Sequence, residues 1–171
     1  MTPILDQHEL EFVSRSPDQT QRLGVRLGAL LQGQDVICLE GPLGSGKTCL
    51  AQGVGRGWGA GRVLTSPTFV LIREYTRPRD TVILYHVDLY RVSGVEEAFN
   101  LGLDELLGNT HAVCVVEWAE RARSLVPTEH LWIRLDFCNH ASPTRRALHF
   151  TARGKRHVRL LQEFRRRAFG A

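Results

Sequence analysis

The sequence predicts an α/β fold: a single domain built on a mixed central sheet with helices on both faces. Three observations carry this reading. Apolar runs of strand length alternate with segments of helical periodicity through the first half of the chain. Two pairs of such runs are joined by turn-forming residues, so part of the sheet is antiparallel. No linker or internal repeat interrupts the 171 residues, a length within the ordinary single-domain range.

The elements follow in order. Residues 8–13 alternate loosely and read as a strand. Ser16-Pro17 supplies an N-cap followed by proline at the first helical position. Leu23, Leu27, Leu30 and Leu31 then mark one face of a helix over roughly 17–32, ended by Gly33. Residues 35–40 carry the buried-strand run Val-Ile-Cys-Leu, and 41–46 form a glycine-rich loop. A helix begins at 47–54. Five glycines in the nine residues 53–61 are expected to stop it. Residues 69–76 and 81–88 form a hairpin around Arg77-Pro78-Arg79-Asp80. Short helical pieces fall at 95–99 and 103–107, and a buried strand at 112–117. Residues 131–137 and 147–151 make a second hairpin with its turn at 139–144. Residues 155–168 carry Val158, Leu160, Leu161 and Phe164 at helical spacing. Within the single domain 1–171, the end 152–171 is therefore a basic amphipathic helix, expected to dock with its arginines outward.

Composition removes several function classes. With 43% hydrophobic and 23% charged residues, wholesale disorder and low complexity are excluded. Apolar stretches such as 112–116 fall far short of the ~18–20 residues of a membrane helix. The first residues show no basic region followed by an apolar run, so no secretory leader is expected and the setting is cytoplasmic. Cys38, Cys49, Cys114 and Cys138 include no C-x-x-C pair and read as reduced, small hydrophobes. The net charge of +4 is uneven: residues 142–171 hold nine basic residues against Glu163 alone. Of the 22 basic residues only Lys47 and Lys155 are lysines. In a chain that otherwise uses arginine, Lys47 needs a reason.

Gly41-Pro42-Leu43-Gly44-Ser45-Gly46-Lys47-Thr48 supplies it, because it matches G-x-x-x-x-G-K-[ST] between an apolar strand and a helix. The fold class is therefore that of a P-loop NTPase-type domain. Glycines let successive N–H groups turn toward phosphate oxygens, and the helix N-terminus adds partial positive charge. Lys47 offers a compact ammonium for β- and γ-phosphates, and Thr48 a hydroxyl for Mg²⁺. A bound Mg²⁺ also wants acids at strand ends. Asp88 and Glu117 each close an apolar run, although solvated or salt-bridged carboxylates would look the same. His86 shares a strand face with Asp88 and reads as a packed sheet histidine. His8, His111, His130, His140, His149 and His157 show no ligand spacing.

With the phosphate loop, Ser66-Pro67-Thr68, His86-Val87-Asp88-Leu89-Tyr90-Arg91 and Val116-Glu117-Trp118 in order, the chain resembles the TsaE (YjeE) family over roughly residues 10–137. The resemblance implies a P-loop ATPase of bacterial tRNA threonylcarbamoyladenosine biosynthesis, with ATP and Mg²⁺ as cofactors. It implies two partners, the threonylcarbamoyl transferase and its paralogous dimerisation subunit, and a modified adenosine in tRNAs reading codons that start with A. Carried over by residue, Gly44, Ser45, Gly46, Lys47 and Thr48 bind phosphates, and Thr48 and Glu117 are linked to the metal. Lys47, Asp88 and Glu117 are catalytic. Thr68 lies in a switch-like segment, Thr20 lies near base and ribose, and Trp118 is either a nucleotide contact or a buried anchor. The loop departs from the family pattern at Pro42, where an acid is more frequent and where the N–H is missing. Residues from Arg153 onward match no family motif, and tRNA contact through them rests on charge alone. Two rivals stand beside this reading: a small-molecule or nucleoside P-loop kinase, and a nucleotide-gated binding module with negligible turnover.

Overall fold

The computed structural model describes residues 6–66, 71–138 and 142–170. Its strands are β1 (Glu9–Ser14), β2 (Val36–Glu40), β3 (Ile72–Tyr75), β4 (Ile83–Asp88), β5 (Ala112–Glu117), β6 (His130–Phe137) and β7 (Arg146–Arg153). Its α-helices are α1 (Pro17–Gly28), α2 (Lys47–Trp58), α3 (Val95–Asn100), α4 (Leu103–Leu107) and α5 (Lys155–Phe169). The strands form one sheet in the order β1-β7-β6-β2-β5-β4-β3. Strand β2 lies parallel to β5 and β6, and β4 parallel to β5. The pairs β3–β4, β6–β7 and β1–β7 are antiparallel, which makes the sheet mixed as the two hairpins require.

The sheet separates two apolar layers. Leu23, Leu27, Leu50, Val54, Leu160, Leu161 and Phe164 of α1, α2 and α5 pack on one face, against Ile37, Leu39, Val113 and Val115. Ala98, Leu103 and Leu107 of α3 and α4 pack on the other, against Cys38, Cys114 and Val116. Strands β2 and β5 are covered on both sides, which is why they read as unbroken apolar runs. Cys38 and Cys114 are buried free thiols; burial raises both, Cys114 to about 12, as inert core residues require.

Three expectations are corrected, and one element is added. Helix α1 starts as predicted, with Ser16 Oγ accepting from the Gln19 N–H, but ends at Gly28 instead of 32. Leu30 and Leu31 still reach the core from the turn that follows. Helix α2 runs on through Gly53, Gly55 and Gly57 to Trp58. Its glycines are interface residues: a methyl on Gly53 would strike the Gln21 carbonyl, and one on Gly57 the Val25 carbonyl, both in α1. The short 3-10 helix Ala119–Leu125, kinked at Ala122, has no signal in the sequence pattern. The arginines of α5 do not all face outward. Arg156 donates to both oxygens of buried Asp35 at 2.9 and 2.6 Å, and Arg165 donates to the Asp6 and Glu9 carbonyls beside β1. Arg159, Arg166 and Arg167 are exposed, the last paired with Glu163. Residues 69–70 of the first predicted hairpin and 139–141 of the second turn lie outside the described residues. No described helix is long and apolar enough to cross a membrane.

Two stability tests follow. In Gly28→Ala the new methyl overlaps the Val54 carbonyl oxygen, so urea denaturation should show a loss of roughly 1–3 kcal/mol. Gly94→Ala, which meets open space at an extended backbone position, should stay within about 0.5 kcal/mol. The second test concerns His157, whose Nε2 accepts from the Val36 N–H at 3.3 Å. Burial, aided by Arg156 and His130, holds its pKa below 6.5 against the opposing pull of Asp35 and Glu129. The unfolded histidine then takes up a proton that the folded one refuses, so stability falls as pH drops below about 6.5. Tm measured from neutral pH downward should show that fall. It should be shallower in His157→Gln, with His130, also depressed by burial, supplying the remainder.

Candidate nucleotide-binding site

Strand β2 ends at Glu40 and the chain turns through Gly41, Gly44 and Gly46, all at positive φ. Gly46 is the N-cap of α2 and supplies no side-chain cap; the first turn of the helix holds no acid. The leading N–H groups of a 12-residue helix are thus left to an external anion. Lys47 sits over this opening at 5% exposure. Its ammonium donates to the Gly41 and Pro42 carbonyls at 2.6 and 3.0 Å, and lies 4.0 Å over the Trp118 ring. Burial lowers its pKa, while the charges of Glu117, Glu120 and Asp88 oppose that shift. Ser45 is buried beneath the loop, with its N–H bonded to the Pro42 carbonyl.

Parallel pairing brings the acids to this opening. Leu39 of β2 is level with Glu117 of β5, and Glu117 is level with Asp88 of β4. Glu117 is 1% exposed and both its oxygens are engaged: Oε1 accepts from Thr48 Oγ1 at 2.7 Å, and Oε2 lies 2.6 Å from His86 Nε2. Asp88 Oδ2 accepts from Ser66 Oγ at 3.0 Å, and Oδ1 from the Tyr90 N–H at 2.9 Å.

Leu43, Gly44, Gly46, Lys47, Thr48, Ser66, Asp88, Tyr90, Glu117 and Trp118 line a cleft of about 290 Å³. A second hollow of about 230 Å³ adjoins it across Gly44, Gly46 and Cys49, and is walled by Thr20, Thr144 and Arg146. Together they offer room for a phosphate chain and for a nucleoside. The Thr20 hydroxyl donates to Ser14 Oγ at 2.7 Å, so Thr20 turns its methyl toward Gly46. A larger hollow of about 540 Å³, beside His8, Glu129 and Arg153, contains neither the loop nor the strand-end acids.

Gly44, Gly46, Lys47, Thr48, Asp88, Glu117 and Trp118 thus meet in one cleft, with Ser45 beneath it and Thr20 next door. Thr68 and Pro67 lie outside the described residues. Sequence reasoning missed Tyr90, which packs on Trp118 at 5.0 Å, and Arg121, which lies over both rings. It missed Arg146, which donates to the Gly44 carbonyl, and it underrated His86. For Tyr90 a signal existed: its place two residues after Asp88.

The donor set suits a hard cation bound with phosphate. Among the described residues no three His, Cys, Asp or Glu side chains gather as a metal cluster. The Thr48 hydroxyl and the Glu117 carboxylate, 2.7 Å apart, are both oxygen donors, the type that a Mg²⁺ bound with phosphate and water would take.

The family model described as "Threonylcarbamoyl adenosine biosynthesis protein TsaE" matches residues 14–147. The chain belongs to the TsaE family. The TsaE of Bacillus subtilis strain 168, named a tRNA threonylcarbamoyladenosine biosynthesis protein, is 37% identical over 159 residues, or 92% of this chain and 95% of that protein. The TsaE of Treponema pallidum strain Nichols, of the same name, is 41% identical over 126 residues, or 74% and 90%. The solved structure of Bacillus subtilis YdiB superposes with a TM-score of 0.72 at 32% identity, covering 93% of this chain and 95% of that one. TsaE membership places the chain in tRNA threonylcarbamoyladenosine biosynthesis. The family model ends before α5, whereas the match to the Bacillus subtilis TsaE takes in 92% of the chain and so extends into that helix.

Proposed function

We propose that the chain is an Mg²⁺-dependent ATPase subunit that supports threonylcarbamoyl transfer to tRNA. It would act with the transferase and its paralogous dimerisation subunit, in tRNAs that read codons starting with A. The observation that carries this reading is the uncapped N-terminus of α2, with Lys47, the Thr48–Glu117 pair and Asp88 gathered at its mouth. The loop N–H groups and Lys47 hold the β- and γ-phosphates. Thr48 and Glu117 would hold Mg²⁺, which would neutralise phosphate charge there. Asp88 faces the same cleft and orients the water that attacks the γ-phosphorus, releasing ADP and phosphate. Its bond to Ser66 ties that role to the segment carrying Thr68. Trp118 roofs Lys47 and keeps bulk water from the ammonium.

A kinase needs mobile arginines on a lid. Arg77 lies at the end of α2 away from the phosphate loop, fixed by the Trp58 carbonyl and by both oxygens of Asp80, and it stacks on the Trp58 ring. That favours hydrolysis over transfer to a small acceptor.

The test is ATP turnover by purified protein, alone and with the two partner subunits. Lys47→Ala, Glu117→Gln and Asp88→Asn should each lower turnover by about 100-fold or more while circular dichroism stays unchanged. The variant whose Mg²⁺ requirement rises has lost the metal-linked group. Wild-type turnover in Lys47→Ala overturns the ATPase reading. Turnover absent from the wild type in every combination of partners favours the nucleotide-gated binding module. For tRNA, Arg159→Ala/Arg166→Ala should keep basal turnover and weaken tRNA binding at ~50 mM salt, where screening is least. Superimposable isotherms there make the α5 arginines a solvated face.

A further inference from the structure

We infer that His86 is a positioning residue that fixes the Glu117 carboxylate and thereby sets the affinity of the site for Mg²⁺. The inference rests on the reading of Glu117 as a metal-linked group.

His86 is fully buried on β4, opposite Val115 of β5. Its Nε2 lies 2.6 Å from Glu117 Oε2, and both groups are shielded from water. A carboxylate oxygen accepts, so the imidazole carries its proton on Nε2 and donates. That leaves Nδ1 as the other ring nitrogen, and among the described residues it is buried with no hydrogen-bond partner. A histidine present only to fill the sheet would gain nothing there over an aliphatic side chain such as Leu84, two residues before it on β4. One ring nitrogen is sacrificed so that the other can hold Glu117.

The consequence falls on the second carboxylate oxygen. With Oε2 anchored by His86, rotation of the carboxylate is blocked, and Oε1 stays turned toward Thr48 Oγ1 at the mouth of the cleft. Thr48 Oγ1 and Oε1 are the protein oxygens that the proposed reading assigns to Mg²⁺. His86 does not itself line the cleft and reaches it through Glu117, so its effect on the nucleotide passes through that carboxylate and the metal it is read to hold. Groups that hold a metal ligand from behind commonly change metal affinity 10–100-fold when removed.

The experiment measures binding of a non-hydrolysable ATP analogue by calorimetry, in EDTA and in Mg²⁺, for wild type, His86→Leu, His86→Gln and Glu117→Gln. The Mg²⁺-dependent gain in affinity should fall about 10–100-fold in His86→Leu, while the affinity in EDTA is unchanged. His86→Gln, whose amide can still donate to Oε2, should recover most of the gain. His86→Leu placed on Glu117→Gln should add no further loss. A full gain in His86→Leu, or an equal loss in EDTA and in Mg²⁺, overturns the inference. Imidazole ¹⁵N NMR supplies a readout independent of the metal and of whether the leucine variant folds. A protected Nε2–H resonance should be present in the wild type and should shift in Glu117→Gln. If it behaves so but Mg²⁺ brings no gain in the wild type, the hydrogen bond stands and the metal reading of Glu117 fails. If it is absent, the inference fails alone.

Discussion

Glu117 is a carboxylate buried at the centre of the molecule, and the site is arranged around keeping it satisfied. Removing such a group from water costs several kcal/mol unless its lone pairs are met by donors. The donors come from two other elements: Thr48 at the start of α2 and His86 on β4. They arrive because β5 lies between β2 and β4 in parallel register, with Glu117 level with Leu39 on one side and Asp88 on the other. A slip of one residue in either pairing would turn Glu117 to the opposite face of the sheet and strand the charge. The strand order is thus enforced by the same residue that the chemistry needs. The next residue carries the cost: Trp118 stands at φ 59°, a left-handed conformation that disfavours bulky side chains. It persists because its ring is held between Lys47, Tyr90 and Arg121.

The second constraint is the approach of α1 to α2. Gly24, Gly28, Gly53 and Gly57 bring the two backbones so close that a methyl at any of them would strike the facing main chain. Glycine costs each helix interior up to about 1 kcal/mol relative to alanine. The return is rigidity in the helix that begins at Lys47, so that its N-terminus holds a fixed place relative to β2 and β5. Asp35, just before β2, makes a similar tie to α5 through Arg156. The basic end of the chain is therefore partly a structural clamp, and its reach toward any polyanion belongs to the arginines that remain exposed.

The phosphate loop, its flanking strand and helix, both hairpins and the two strand-end acids were legible, because each rests on local chemistry: glycine φ, apolar runs closing on a carboxylate, turn residues. What was hidden depended on partners distant in sequence. The glycines at 53, 55 and 57 look like a helix stop until α1 is seen to lie against Gly53 and Gly57, and Leu64 against Gly55. His86 looks like a filler until β5 is placed beside β4, 31 residues away. Arg156 and Arg165 look like solvated cations until Asp35 and the carbonyls near β1 appear beneath them. The 3-10 helix 119–125 has no period of its own to read, since its shape follows from the turn that Trp118 makes.

Lys47 shows how the site is prepared before any ligand arrives. Its ammonium is tied to the carbonyls of Gly41 and Pro42, the first two residues of the loop, and is covered by the indole of Trp118. These bonds draw the loop around the lysine and give it the curvature that a phosphate chain requires. The loop is thus ordered by its own cation, and on the proposed reading a nucleotide would meet a formed cradle instead of supplying the ordering entropy itself. An arginine could not do this. Its planar fork is too wide to sit between two successive carbonyls and still leave a single charge free to turn toward phosphate. The one lysine in the body of a chain that otherwise uses arginine is therefore explained by the carbonyls it holds and, on the proposed reading, by the phosphates it would face.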